Sequence, residues 1–421
     1  MPRASGAAPA SLQREGGGPV RSAVRSPLPR FVLLYGAMFS AFGMSAPFLP
    51  SLFKQDGLSP TAIGAVLAAG TAIRLLTGPL GGRLSDRSGR PPIVLAALSA
   101  AASVVALGYA PFHAFLPLLL VSVAHAALLA PMTPIADALA LGSSEREGGF
   151  SYGTVRGAGS AAFVLGTLLA GQAVARLGLG AFVFGTAALL FVAGCAAPFL
   201  PNRVSGREAA GAADRDGAGS GRRGSIAALL RVPGFARLML VAALVLGSHA
   251  LHDGFSVIRW RSAGLSATET SVVWSLSVAS EVAVFTLFGR RILDRIGPAR
   301  SLMVSAAAGT VRWTVSALTA AFPVIAVSEC LHGLSFALLH LAVMRLIAAT
   351  VPAELAATAQ SVYATAAVGA VTALVTLASG PAYGYLGPDS FLVMAAMCAA
   401  ALPVATGLRA ADVPESRPGA A

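Results

Sequence analysis

Apolar residues along this chain come in long unbroken runs, not in the alternation of a half-buried strand or the narrow stripe of a surface helix. Twelve runs stand out, at roughly 31–53, 61–80, 92–110, 114–141, 153–176, 180–199, 234–257, 267–289, 299–320, 323–348, 356–380 and 388–408. Each approaches the ~20 residues that a helix needs to cross a ~30 Å hydrocarbon core. Helices are the expected element, because an open sheet edge leaves its backbone unsatisfied in lipid. The ten-residue alternation of barrel strands is not seen. The pattern predicts an all-α membrane protein of twelve transmembrane helices. A polar, Gly-rich stretch at 202–232 divides the runs six and six. The expected organisation is a basic disordered tail (1–30), a six-helix bundle (31–200), a cytoplasmic linker (201–233), a second six-helix bundle (234–408) and a short tail (409–421).

Composition narrows the function classes. Of 421 residues, 56% are hydrophobic and 11% charged, against about 25% charged in a soluble domain. A soluble enzyme, a nucleic-acid-binding module and a disulfide-rich secreted domain are excluded. The net charge of +12 sits in segments between runs, as the positive-inside rule expects. With residue 1 in the cytoplasm, twenty-one arginines fall on the inner side, and the outer side holds only Lys54, Arg176, Arg259 and Arg261. The expected location is the cell membrane, multi-pass, with both termini cytoplasmic and lipid as solvent. Nucleic acid is not an expected partner. Cys195, Cys330 and Cys398 lie in separate runs, with neither a metal spacing nor a disulfide framework. No cofactor or metal is expected.

The halves echo each other. GLSPT at Gly57–Thr61 returns as GLSAT at Gly264–Thr268, and GGRLSDRSGR at Gly81–Arg90 returns as GRRILDRIG at Gly289–Gly297. A six-plus-six parallel repeat implies two bundles related by a pseudo-two-fold axis. Gly82–Arg90 reads G-x-x-x-D-R-x-G-R and resembles the signature between the second and third helices of the major facilitator superfamily. Gly82 and Gly89 are expected to allow close helix approach. Asp86, Arg87 and Arg90, echoed by Asp294 and Arg295, are expected to form a gating loop between the halves.

Ionisable groups inside the runs are functional candidates, because each costs about 2.5–3.5 kcal/mol at the bilayer centre. They are Arg74, Asp137, Arg156, Glu281, Arg312, Glu329 and Arg345, with several histidines. Glu329, His332, Phe336 and His340 are spaced to share one helical face, a carboxylate and imidazoles suited to carrying protons. Arg312 is a natural partner for Glu281 or Glu329. Arg74 and Glu281 occupy matching places in the repeat. Trp274 shares a face with Ser277 and Glu281. His249, His252 and Asp253 read as a polar cavity lining or an interfacial cluster ahead of a metal site. His125 reads as a satisfied core histidine, Trp260 as an interfacial anchor and Trp313 as a lipid-facing or packing residue.

Asp137, Y-G-x-x-R-x-x-G-S-x-x-F (Tyr152–Phe163), Glu281, Arg312–Trp313 and L-H-G-x-x-F-x-x-x-H (Leu331–His340) together resemble the 3-phenylpropionic acid permease-like family. More distantly the chain is similar to lactose permease-type and nucleoside–proton symporters. The resemblance implies that Asp137, Arg156 and Phe163 bind substrate, and that Glu281, Arg312 and His332 couple protons. Glu329 precedes His332, whereas the lactose permease's proton-carrying Glu follows its His. Phe163 stands where a sugar-stacking Trp would be.

The expectation is a monomeric secondary transporter, with a small-molecule substrate and protons as partners. It would perform proton-coupled uptake of an aromatic acid, with sugars or nucleosides as other candidates. Substrate contacts would come from Asp137, Arg156, Phe163, Arg74 and Trp274. Proton coupling would come from Glu281, Arg312, Glu329, His332 and His340. The alternative is a proton-antiport exporter of drugs or metabolites. No nucleophile–base constellation suggests an enzyme.

Overall fold

The computed structural model describes residues 26–144, 150–202 and 222–408. Residues 1–25 and 409–421 of the expected tails, 203–221 of the linker, and Arg146 lie outside the described residues. The described part of the linker is not all irregular, because Arg222–Arg231 is helical.

Among the described residues the chain is helical, without a strand. Among these residues nine stretches are long and apolar enough to cross a membrane. They are α1 (Leu28–Gln55), α2 (Pro60–Ser88), α4 (Phe115–Ser144), α5 (Tyr152–Leu177), α6 (Ala181–Phe199), α7 (Phe235–Ser262), α8 (Ala267–Ile296), α10 (Phe322–Thr350) and Ala353–Thr406. A 3₁₀ turn at Gly387–Asp389 divides the last into α11 (353–386) and α12 (Ser390–Thr406). Two further helices are α3 (Pro91–Leu107) and α9 (Pro298–Leu318). The first is apolar but shorter, and the second carries Arg300 and Arg312 within 21 residues. In order, these helices fall on the twelve predicted runs.

The repeated sequence motifs are repeated turns. Gly57 (φ +84°) and Gly264 (φ +99°) occupy the left-handed region that glycine tolerates. Two residues on, Ser59 and Ser266 cap α2 and α8, the latter in a full capping box with Glu269. Gly89 (φ +61°) and Gly297 (φ +78°) end the same helices, and Pro91 and Pro298 open the next. This corrects the expected reason for Gly82 and Gly89. A Cβ at either would meet nothing within 4 Å, so neither supports a close helix approach, and Gly89 serves its backbone angle.

In the first half α1 packs on α5 and α6, α2 on α4, and α3 on α6; in the second, α9 and α7 pack on α12. The halves meet where α2 lies against α11 and α5 against α8. The tight joints are near the α1–α2 and α7–α8 turns. A Cβ on Gly64 would come within 2.8 Å of Gly380 Cα, and one on Gly380 within 2.6 Å of the Pro60 carbonyl. Lys54 Nζ donates to Ser262 Oγ at 2.7 Å, and Gln172 Nε2 to Thr268 Oγ1 at 3.2 Å.

The second half departs from regular helix where polar residues gather. α7 breaks at Ser248. π-helical turns occupy Val284–Phe288 in α8, Gly333–Leu338 in α10 and Tyr363–Ala370 in α11. Such turns frequently mark functional segments.

Candidate functional site

Between the halves lies a cavity of about 660 Å³, within the range of small-molecule sites. Its wall draws on α1 (Phe42, Ser45), α2 (Arg74), α4 (Ser122, His125), α5 (Phe163), α7 (Asp253), α8 (Trp274) and α11 (Thr372, Thr376). The wall is mostly apolar with a few polar groups, as small-molecule pockets usually are.

On the first-half side, Tyr109 and His125 are buried beneath Arg74. The Tyr109 hydroxyl lies 3.3 Å from Ser122 Oγ and 3.4 Å from His125 Nδ1. His125 Nε2 is buried and has no hydrogen-bond partner. An exposed guanidinium, a phenol and an unpartnered imidazole nitrogen thus converge on one wall. Of the three, the guanidinium is the free donor suited to an anionic group.

On the second-half side, Trp274 is 7% exposed and stacks on His252, with centroids 5.1 Å apart and planes at 22°. Behind this indole is an ion-pair network built from four helices. Arg312 of α9 is fully buried and pairs with the fully buried Glu329 of α10. The same guanidinium reaches His252 Nε2 of α7 at 3.1 Å and His332 Nδ1 of α10 at 3.0 Å. His252 Nε2 also lies 3.2 Å from Glu329 Oε2. Since Arg312 only donates, His332 accepts at Nδ1 and donates from Nε2 to Glu281 of α8, at 3.3 Å. On the other flank, His252 Nδ1 meets Asp253 Oδ1 at 3.2 Å. The Asp253 side chain is 63% exposed and lines the cavity. The result is one hydrogen-bonded chain, Asp253–His252–Glu329/Arg312–His332–Glu281.

Packing holds this chain in place. Trp313 donates from Nε1 to Ser248 Oγ at 2.8 Å, and its ring lies 4.3 Å from the Arg312 guanidinium carbon. His249 is wedged among Trp313, His332 and Phe336 and reaches Ser335 Oγ at 3.2 Å. The α7 break at Ser248 places the hydroxyl that accepts from Trp313 beside the histidines.

Residues 29–393 match the MFS_1 like family of the major facilitator superfamily. The chain belongs to this family. It is 33% identical over 368 residues to the probable 3-phenylpropionic acid transporter of Escherichia coli (strain K12), covering 86% of this chain and 92% of that one. It is 24% identical over 351 residues to the maltose permease of Geobacillus stearothermophilus, covering 83% and 86%. Among solved structures, the nucleoside transporter NupG superposes with a TM-score of 0.76 at 16% identity, covering 91% of this chain and all of that one. The protein is therefore a multi-pass membrane transporter of the major facilitator fold.

In this facilitator the expected site residues divide into groups. Arg74, Phe163 and Trp274 line the cavity. Asp137 and Arg156 do not: Asp137 accepts from the Tyr35 hydroxyl at 2.5 Å, and Arg156 lies over the Phe39 ring at 4.8 Å. Glu281, Arg312, Glu329 and His332 come together, with Arg312 taking Glu329 and leaving Glu281 to His332. His340 stands apart, 3.0 Å from the Tyr363 hydroxyl. The single face predicted for Glu329 to His340 is broken by the π-helical turn, which shifts the register between His332 and His340.

The two copies of the signature loop also differ. Asp294 pairs with Arg345 at 2.6 Å and lies 3.8 Å from Arg290. Asp86, Arg87 and Arg90 are exposed, and their side chains make no ion pair among the described residues. Trp260 is fully buried beside His252, not at an interface, and Trp313 is fully buried in the network, not facing lipid.

Asp253 lines the cavity, as one of the two sequence readings of the His249–His252–Asp253 cluster expects, whereas His252 is buried behind Trp274. Their i, i+1 adjacency puts one on each side of α7, a place that spacing on one helix does not reveal. His125, expected as a satisfied core histidine, is buried with Nε2 unpartnered and lines the cavity; Tyr109 carries no sequence signal, because its pairing joins the end of α3 to α4.

Proposed function

We infer that the protein carries small organic acids into the cell together with protons, by alternating access, as a monomer in the cell membrane with both termini cytoplasmic. The single observation that carries this reading is the shared wall. A cavity with one arginine on one side abuts, across Trp274, a chain of carboxylates and imidazoles able to hold a proton. Aromatic acids are the favoured class. Arg74 would meet the carboxylate, with the Tyr109 hydroxyl and His125 beside it, and Phe163 and Trp274 would meet the ring. The relative that is a probable 3-phenylpropionic acid transporter supports this class.

Arginine-rich turns at α2–α3 and α8–α9 support a cytoplasmic position for that end. The glycine joints near Pro60 and Gly380 then close the outer end, which suits a state that has delivered its cargo inward. Residues 31–200 and 234–408 act as the two rocking bundles, with Asp137 and Arg156 supporting the α1–α4–α5 corner around Tyr35 and Phe39. The signature loop, from Gly82 through Asp86, Arg87 and Gly89 to Arg90, with Asp294 and Arg295 in its second copy, serves the inner gate.

Right-side-out vesicles test the reading. An imposed pH gradient, acid outside, drives accumulation of 3-phenylpropionate or benzoate; a gradient that drives none across an aromatic-acid panel ends it.

A further inference from the structure

The geometry points to Asp253 as the carboxyl group at which an incoming organic anion and its co-transported proton meet. This rests on the reading of the cavity as an organic-acid site and assigns its coupling.

Charge balance in the cavity wall makes the argument. Among the described residues that line it, Arg74 is the one cation and Asp253 the one acid. With the cavity empty the two offset each other. A bound monocarboxylate adds a second negative charge opposite one positive charge, in a cavity with apolar walls where an uncompensated charge is costly. A proton on Asp253 restores neutrality. Anion binding and Asp253 protonation therefore favour each other, and linkage makes the effect reciprocal.

The surroundings supply both ends of the proton's route. Asp253 is 63% exposed, so cavity water reaches it. Its Oδ1 lies 3.2 Å from His252 Nδ1, and His252 is 2% exposed. While His252 is neutral and donates to Asp253, its Nε2 accepts from Arg312. A second proton on His252 turns Nε2 into a donor, and Glu329 Oε2 is the acceptor at 3.2 Å. A proton reaching Nε2 from the Glu329 side makes the ring cationic and lets its Nδ1 proton pass to Asp253, so the ring relays one proton between the interior and Asp253 without moving. The other titratable or charged groups facing this point are His249 of α7, Arg312 of α9, His332 and Glu329 of α10, Glu281 of α8 with Arg156 of α5 and His340 of α10 beyond it, and Arg74, Tyr109 and His125 across the cavity. Of the carboxylates among them, Glu329 is engaged by Arg312 and Glu281 by His332. Asp253 alone among them lines the cavity.

The test is calorimetric binding of 3-phenylpropionate to the purified full chain, in two buffers of different ionisation enthalpy, between about pH 6 and 9, where the ligand is an anion. Wild type should take up close to one proton per anion, and its affinity should fall about tenfold per pH unit once Asp253 ionises. Asp253→Asn should take up none and bind with an affinity that hardly changes with pH. Asp253→Glu should restore proton uptake, which a merely structural aspartate would not require. The neutral amide 3-phenylpropanamide should bind without proton uptake in wild type. Undiminished proton uptake in Asp253→Asn overturns the assignment and leaves the transport reading standing. So does wild type that binds the anion without a proton, whether or not the variant folds. Wild type that binds neither 3-phenylpropionate nor benzoate overturns the organic-acid reading and this inference with it.

Discussion

Glu329 and Glu281 are both carboxylates within the span, yet their surroundings differ. Glu329 is fully buried against Arg312 and His252. Glu281 is 28% exposed, meets His332 at 3.3 Å and lies within electrostatic reach of Arg156 on α5. Breaking a buried pair leaves its partner charge uncompensated, a loss of about 3–5 kcal/mol. Glu329→Gln is thus expected to lower thermal stability in detergent sharply, by that order. Glu281→Gln should leave the unfolding temperature nearly unchanged, yet abolish gradient-driven uptake while sparing exchange. Intact gradient-driven uptake in Glu281→Gln would remove that residue from the coupling chain. The aromatic residues make a similar contrast. Trp274 separates the cavity from His252, so Trp274→Ala should weaken binding of an aromatic acid more than that of an aliphatic acid of similar length, measured side by side.

At the scale of elements, the halves share turns but not helix interiors. Both copies of the Gly-Leu-Ser turn cap a helix in the same way. The π-helical turns among the described residues, by contrast, all lie in the second half, and two of them begin within three residues of Glu281 and His332. One such turn carries Phe336 onto His332, stacked at 5.3 Å, and sends His340 to Tyr363. The joint between α2 and α11 depends on missing side chains. Gly64→Val places branched carbons where Gly380 backbone atoms sit within 3 Å, so the outer end should no longer close. Transport is expected to fall at least tenfold although the chain still inserts. A thiol introduced by Ser262→Cys, in a background lacking Cys195 and Cys330, should become more reactive to a water-soluble reagent applied from outside. Unchanged reactivity would mean that this joint does not govern closure.

At the scale of the whole molecule, one anion carried with one proton moves no net charge. Collapsing the pH gradient should abolish uptake of 3-phenylpropionate, and clamping the membrane potential should leave its rate unaltered. A rate that follows the potential would require a different stoichiometry. An all-helical membrane chain, the order of its helices and the capped turns were legible in the linear chain, because each follows from local pattern: run length against bilayer thickness, glycine and serine at fixed offsets. Glu281, Arg312, Glu329 and His332 were legible as a group because an ionisable residue in a greasy run must find company. Which partner each takes was not, since Arg312 on α9 choosing Glu329 over Glu281 depends on how α8, α9 and α10 pack. The same holds for Asp137, which turns to Tyr35 on α1, and for Asp253, which a break in α7 and the packing of the two halves bring to the cavity wall. Local pattern decides what crosses the membrane; the meeting of distant side chains, set only when helices pack, decides where a charge can be held and a proton exchanged.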